Sequence, residues 1–160
     1  MRAVRAGGLG LLGLLGLGCG AESACGPEAG VVARVVDGDT VVLQSGERVR
    51  YLLVDTPEST GGKTDCFGVE AREFNRSLVE GRGVRLTYAE ACSDRYGRLL
   101  AYVSVEGREV NTLLAREGYA CVLYVAPAGG ARRVEFQALE SAARRARRGM
   151  WGRCAEVACE

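Results

Sequence analysis

The chain has 160 residues, of which 48% are hydrophobic and 26% charged, with 21 Lys and Arg against 20 Asp and Glu. That length holds one compact domain with a leader and a tail, excludes a second domain of ordinary size, and the composition excludes a disordered chain. The balanced charge excludes capture of a polyanion by bulk electrostatics, so any phosphate binding has to come from a few placed cations.

Met1-Arg2-Ala3-Val4-Arg5 and the Leu/Gly run over 9–17 have the layout of a secretory signal, too short to span a bilayer. The run ends at Leu17-Gly18-Cys19, which resembles the lipobox of bacterial lipoproteins, with Gly16 where a branched apolar residue is usual. Two outcomes fit: Cys19 is lipidated and anchors the protein to an outer or cell membrane, or cleavage near Ala21 or Ala24 releases a soluble, secreted or periplasmic form. Both predict export, with 1–19 as signal, 20–30 as a short linker, 31–151 as the folded domain and 152–160 as a tail. Loss of 1–18 removes Arg2 and Arg5 and leaves 19 basic residues against 20 acidic ones.

Segments 31–36 and 40–44 are rich in β-branched residues and joined at Asp37-Gly38, a hairpin signal. Ser45-Gly46 makes the next turn and 47–54 reads as a third strand, which completes a meander. A polar loop follows over 59–65, then a helix over 69–79 with Val69, Phe74 and Leu78 at helical spacing and Gly81 closing it. A fourth strand is expected over 84–88, a polar loop over 89–97, a fifth strand over 98–105, a short helix over 110–116, an extended segment over 121–125 and an Ala/Arg-rich helix over 131–148. Three strands, a helix, two strands and two helices suit an α+β, mainly β, fold: a five-stranded Greek-key barrel of the OB type with three packed helices. The Arg132, Arg133, Arg144, Arg145, Arg147 and Arg148 cluster reads as the solvated side of the last helix.

Seven cysteines are many for a reducing cytosol. With Cys19 set aside, six remain, and spacing does not choose among about 15 pairings. The expectation is Cys66 with Cys92, and Cys25 with Cys154 or Cys159. No CxxC pair and no histidine occur, which makes a zinc site improbable.

The absence of histidine also removes a Ser-His-Asp triad, a Cys-His pair and a histidine base. Carboxylates, a metal and arginines remain. Asp39 follows the hairpin turn and Asp55 closes the third strand, so the meander can set them side by side. Two neighbouring carboxylates repel unless a hard cation joins them, and the Thr56 carbonyl can add a third oxygen. Asp37 and Asp39 can equally serve the turn alone. Arg50 and Arg98 offer fork-shaped donors for phosphate oxygens, and Glu58, just after Pro57, can orient or deprotonate a water.

Three segments carry a resemblance: Val36-Asp37-Gly38-Asp39-Thr40-Val41, Arg50-Tyr51-Leu52-Leu53-Val54-Asp55-Thr56-Pro57-Glu58 and Asp94-Arg95-Tyr96-Gly97-Arg98-Leu99-Leu100-Ala101-Tyr102. With Phe67-Gly68-Val69-Glu70-Ala71, Val110-Asn111, Glu117-Gly118-Tyr119-Ala120 and Met150-Trp151, they resemble the signature segments of the staphylococcal nuclease (thermonuclease) family. The resemblance implies an OB-fold barrel and a monomeric, calcium-dependent endonuclease that hydrolyses DNA and RNA, single-stranded or locally opened, to leave 3′-phosphate ends. It implies Asp39, Asp55 and Thr56 as calcium ligands, Arg50, Glu58 and Arg98 as catalytic residues, and Tyr96 and Tyr124 as substrate-binding tyrosines. Ala126 stands where a further pocket tyrosine occurs in the best-known member, and the 59–65 loop is shorter. A binding module that has lost catalysis and a structural envelope lipoprotein are the other classes weighed. The joint presence of Asp39, Arg50, Asp55, Glu58 and Arg98 favours the enzyme.

Overall fold

A computed structural model describes residues 24–158. The leader, Cys19 and Cys159 lie outside the described residues. Strand β1 (Ala29–Asp37) opens the fold, followed by β2 (Thr40–Leu43) and β3 (Arg48–Tyr51). Helix α1 (Gly68–Val79) comes next, then β4 (Gly83–Ser93), β5 (Leu99–Val105) and a two-residue edge strand, β6 (Arg108–Glu109). Helix α2 (Val110–Glu117), a 3₁₀ turn (Gly130–Arg132), α3 (Arg133–Arg145) and the four-residue α4 (Met150–Arg153) complete it.

The sheet runs β3-β2-β1-β4-β5-β6. Every neighbouring pair in that order is antiparallel, and a parallel pairing of β3 with β5 (Val49 against Leu99, Tyr51 against Ala101) closes a mixed five-stranded barrel. Closure removes the exposed edges that an open sheet of these strands would present. The expected barrel with three helices is therefore the observed one, with β6 and α4 as small additions.

Inward residues recur at every second position on β3 (Val49, Tyr51), β4 (Val84, Leu86) and β5 (Val103, Val105), and three apart on β1 (Val32, Val35), where the register shifts, all at most 6% exposed. Leu114 of α2 and Phe136 of α3, both fully buried, plug this core from one side. Each such side chain contributes on the order of 1.5–3 kcal/mol by leaving water. Asn111 is fully buried, accepts from Val103 N–H at 2.9 Å, and donates to the carbonyls of Leu52 (2.9 Å) and Ala101 (3.3 Å). It thereby ties the exit of β3 to β5.

Three expectations are corrected. The third strand stops at Tyr51 rather than 54, because Leu53 takes a left-handed φ of 61° that swings the chain off the barrel. Asp55 therefore lies beyond the strand, held instead by a two-bond bridge with Cys121 (2.9 and 2.8 Å). Strand β4 runs on through Ser93, into the segment expected as loop, with a register irregularity after Tyr88. The cysteine pairing also differs: Cys25 bonds Cys92, and Cys66 bonds Cys154. The reason is topological. β1 and β4 pair antiparallel (Ala29 against Arg85), so the chain before β1 travels along β4 toward Cys92. Phe67, beside Cys66, packs on Tyr119 at 5.3 Å, and Gly118 accepts from Met150 N–H at 2.9 Å, which brings the end of α4 to Cys66. Cys121 is likewise disulfide-bonded. Among the described residues no helix is long and apolar enough to cross a membrane.

Candidate active site

The β1–β2 connection is a tight turn at Gly38-Asp39, one residue later than its Asp-Gly signal, since Asp37 pairs with Thr40. Asp37 Oδ1 accepts from the Asp39 N–H at 3.1 Å and shapes the turn. Gly38 is required there by contact: a Cβ would meet Thr56 Cγ2 and Oγ1 at 2.6 Å. That close approach lays the segment after β3 directly on the hairpin tip.

Asp39, 4% exposed, is held from both sides. Its Oδ2 accepts from Thr56 N–H (2.9 Å) and Oγ1 (3.2 Å), and its Oδ1 from Thr40 Oγ1 (3.0 Å). Arg50, opposite Thr40 on β3, reaches between the two aspartates. Its Nη1 lies 3.2 Å from Asp39 Oδ2 and its Nη2 2.8 Å from Asp55 Oδ1, while Nη1 also donates to the carbonyls of Tyr51 and Val54. One guanidinium thus closes the Leu53 turn and bridges two largely buried carboxylates, offsetting one of their two negative charges.

Arg98 stands at the start of β5. Its Nε donates to Asp94 Oδ2 at 2.7 Å, and among the described residues Asp94 is its acidic partner, which leaves the terminal nitrogens available to a ligand. Burial pushes the Asp94 carboxyl up, but the hydrogen bonds from Arg98 and the amides of Arg98 and Tyr96 outweigh it and hold it below the usual range. Glu58 leaves the chain after Pro57, and its Oε1 accepts from the N–H groups of Ser59 (2.9 Å) and Thr60 (2.8 Å) and from Thr60 Oγ1.

Asp39, Arg50, Asp55, Thr56, Glu58 and Arg98 all line one polar cleft of about 200 Å³, with Asp37, Pro57 and Leu123 completing its wall. Tyr96 and Tyr124 are not among the lining residues. Tyr96 is 67% exposed, with its ring 5.5 Å from Arg98 Cζ and 4.8 Å from Arg95 Cζ. Tyr124, next to Leu123, is half-buried, with Arg133 Cζ 5.0 Å from its ring. Asp37 is the cleft residue that the sequence reading left to the turn. Burial first, and the charge of Asp39 second, push its carboxyl up to about 7. The signal available in the sequence was the Asp37-Gly38-Asp39 run, which sets two carboxylates at one tight turn.

Oxygen donors and guanidinium groups converge here at the rim of a closed five-stranded barrel, an arrangement suited to binding and polarising a phosphate ester. Residues 48–153 match the family described as staphylococcal nuclease homologue, and the chain belongs to that family. It is similar to endonuclease YncB of Bacillus subtilis (strain 168), 44% identical over 99 residues that cover 58% of this chain and 46% of the relative. It is 38% identical to the thermonuclease of Staphylococcus intermedius over 105 residues, 62% of each chain. It is 34% identical to endonuclease YhcR of Bacillus subtilis (strain 168) over 143 residues, 81% of this chain and 12% of that one. The chain spans about half the length of several curated relatives it matches.

Proposed function

We propose that this protein is an exported, calcium-dependent nuclease that hydrolyses phosphodiester bonds of DNA and RNA, single-stranded or locally opened, as a monomer, and leaves 3′-phosphate ends. The observation that carries the reading is the convergence of Asp39, Asp55, Thr56, Arg50, Arg98 and Glu58 on one polar cleft. Two disulfides within the described residues support an oxidising, extracytoplasmic compartment. Attachment through a lipidated Cys19 is part of the same proposal and rests on the leader alone.

The cleft's donor chemistry fits calcium. Among the described residues no three His, Cys, Asp or Glu side chains gather around one point, but two carboxylates and a backbone carbonyl offer an all-oxygen set. Asp39, Asp55 and the Thr56 carbonyl would hold the ion, with waters filling the remaining positions. When bound, calcium supplies positive charge to a phosphate oxygen and to a water beside it.

The rest is the work of the chain's own side chains. Arg98 donates from its terminal nitrogens to the non-bridging oxygens of the scissile phosphate. Arg50, fixed between Asp39 and Asp55, presents its charge to the same group without reorganising. Glu58, its Oε1 held by the amides of Ser59 and Thr60, orients the attacking water or takes its proton. Tyr96, whose ring lies 5.5 Å from Arg98 Cζ, and Tyr124, next to Leu123 in the chain, would offer rings against the sugar and base.

The test incubates purified protein with single-stranded and duplex DNA and with RNA, in calcium and then in excess chelator, with end-group analysis of the products. Calcium-dependent cleavage to 3′-phosphates that disappears in Asp39→Ala is the expected result. Tight binding without cleavage would leave a binding module.

A further inference from the structure

The loop that follows Glu58 is closed at its base in a way the chemistry above does not use. Glu58 and Asp65 face each other across it. The Asp65 N–H donates to the Glu58 carbonyl at 2.8 Å, and the Glu58 N–H donates to the Asp65 carboxylate at 3.2 Å. Lys63 Nζ adds a contact to the same carboxylate oxygen at 3.1 Å. The next residue, Cys66, is bonded to Cys154 at the end of α4, 88 positions away. Behind this, Gly68 opens α1 so close to the Glu58 carbonyl that a Cβ would collide with it.

Between the two ends, the loop is polar and carries Gly61 and Gly62, both at positive φ (63° and 83°). Nothing in that composition keeps such a segment in one shape. Yet the amides that hold the Glu58 carboxylate, those of Ser59 and Thr60, are the loop's first two residues. The order of the carboxylate therefore depends on the order of the loop, and the loop's order depends on its clasped base.

We propose that Asp65 and the Cys66–Cys154 cross-link are positioning elements for Glu58: they close the loop so that its first two amides hold the Glu58 carboxylate at the cleft. The inference deepens the nuclease reading and rests on it. Asp65 contacts the Glu58 backbone and the Lys63 ammonium and does not line the cleft, so its effect on the chemistry passes through Glu58. Asn at position 65 keeps an oxygen acceptor for the Glu58 N–H, whereas Ala does not.

The experiment compares Asp65→Ala, Asp65→Asn and the double variant Cys66→Ser/Cys154→Ser with the parent, each also in a Glu58→Gln background. Asp65→Ala and the cysteine pair should each lower kcat by up to about 100-fold, the cost that a misplacement of about 1 Å in a reacting group can carry. KM and calcium affinity should change little, and Asp65→Asn should recover most of the rate. In the Glu58→Gln background the same changes should cost no further activity, since their shared target is gone. Equal losses in both backgrounds, or an unchanged kcat, would overturn the proposal.

Amide hydrogen exchange at Ser59 and Thr60 is the readout that does not need turnover. Faster exchange in Asp65→Ala and in the cysteine pair supports the clasp even where the parent protein cleaves nothing, in which case the nuclease reading fails and the clasp stands. Unchanged exchange at both amides sinks the clasp whatever the activity.

Discussion

Arg50 Nη2 lies 2.8 Å from Asp55 Oδ1, although Asp55 has left the strand on which Arg50 sits. The left-handed step at Leu53 folds the segment back over the guanidinium, which then also takes the Val54 carbonyl. Arg50 is thereby both a cleft cation and the pin of the turn that carries Asp55 and Thr56.

Arg50→Ala is expected to lower turnover by roughly 10³–10⁵, the range found when an arginine is removed from a phosphoryl transition state. Without calcium it should also destabilise the fold by about 3–5 kcal/mol, because Asp39 and Asp55 lose the partner that compensates their burial. Arg50→Lys should restore little, since one ammonium cannot span two carboxylates and two carbonyls. Steady-state kinetics and urea denaturation of the two variants check both parts.

Calcium should raise the unfolding midpoint of the parent by binding the folded state alone. At a concentration about 100-fold above the dissociation constant the gain is about 2.7 kcal/mol. Asp39→Ala should abolish that gain, as seen by calorimetry with calcium and with chelator. A full calcium effect in the variant would remove Asp39 from the metal site.

Arg98→Ala should depress turnover as strongly as the Arg50 change while disturbing the fold far less, since Arg98 and Asp94 keep 24% and 18% of their side-chain surface. The pH dependence has a defined sign. Asp94 has a folded pKa below its ordinary value of 3.8, so its bond with Arg98 adds stability above that value. The contribution fades as pH falls through the lowered folded value. The stability gap between the parent and Arg98→Ala should therefore be complete at neutral pH and close in the acid range below 3.8, measured as the denaturation midpoint against pH.

Asn111→Ala should cost at least about 2 kcal/mol, because it strands the buried Val103 N–H and the Leu52 carbonyl at once, while the Ala101 carbonyl keeps its bond from Leu52 N–H (3.0 Å). Since Leu52 leads into the turn that carries Asp55, activity should fall at temperatures where the fold is still intact. Parallel melting curves and activity assays separate the two losses.

Gly38→Ala should act through Thr56. The new methyl has no room against Thr56 Cγ2 and Oγ1, so the hairpin tip and the 55–56 segment must part. A loss of about 1–3 kcal/mol is expected from the overpacking. Calcium titration should show weaker binding than in the parent.

Much of this protein was legible before any coordinates. Alternation of β-branched residues, the Asp-Gly and Ser-Gly turns and the helical spacing of Val69, Phe74 and Leu78 are local properties, and they determined the order of strands and helices. The acid-arginine segments likewise named six residues that meet in one cleft, because short motifs at strand ends carry their own placement. What escaped the sequence depends on contacts far apart along the chain. The parallel partner of β3, the extension of β4, the release of the chain at Leu53 and the pairing of Cys25 with Cys92 and Cys66 with Cys154 depend on how the barrel closes. Local preference sets which elements form. Which carboxylates share a guanidinium, and which sulfurs come within bonding distance, is settled only when packing brings distant segments to the same place.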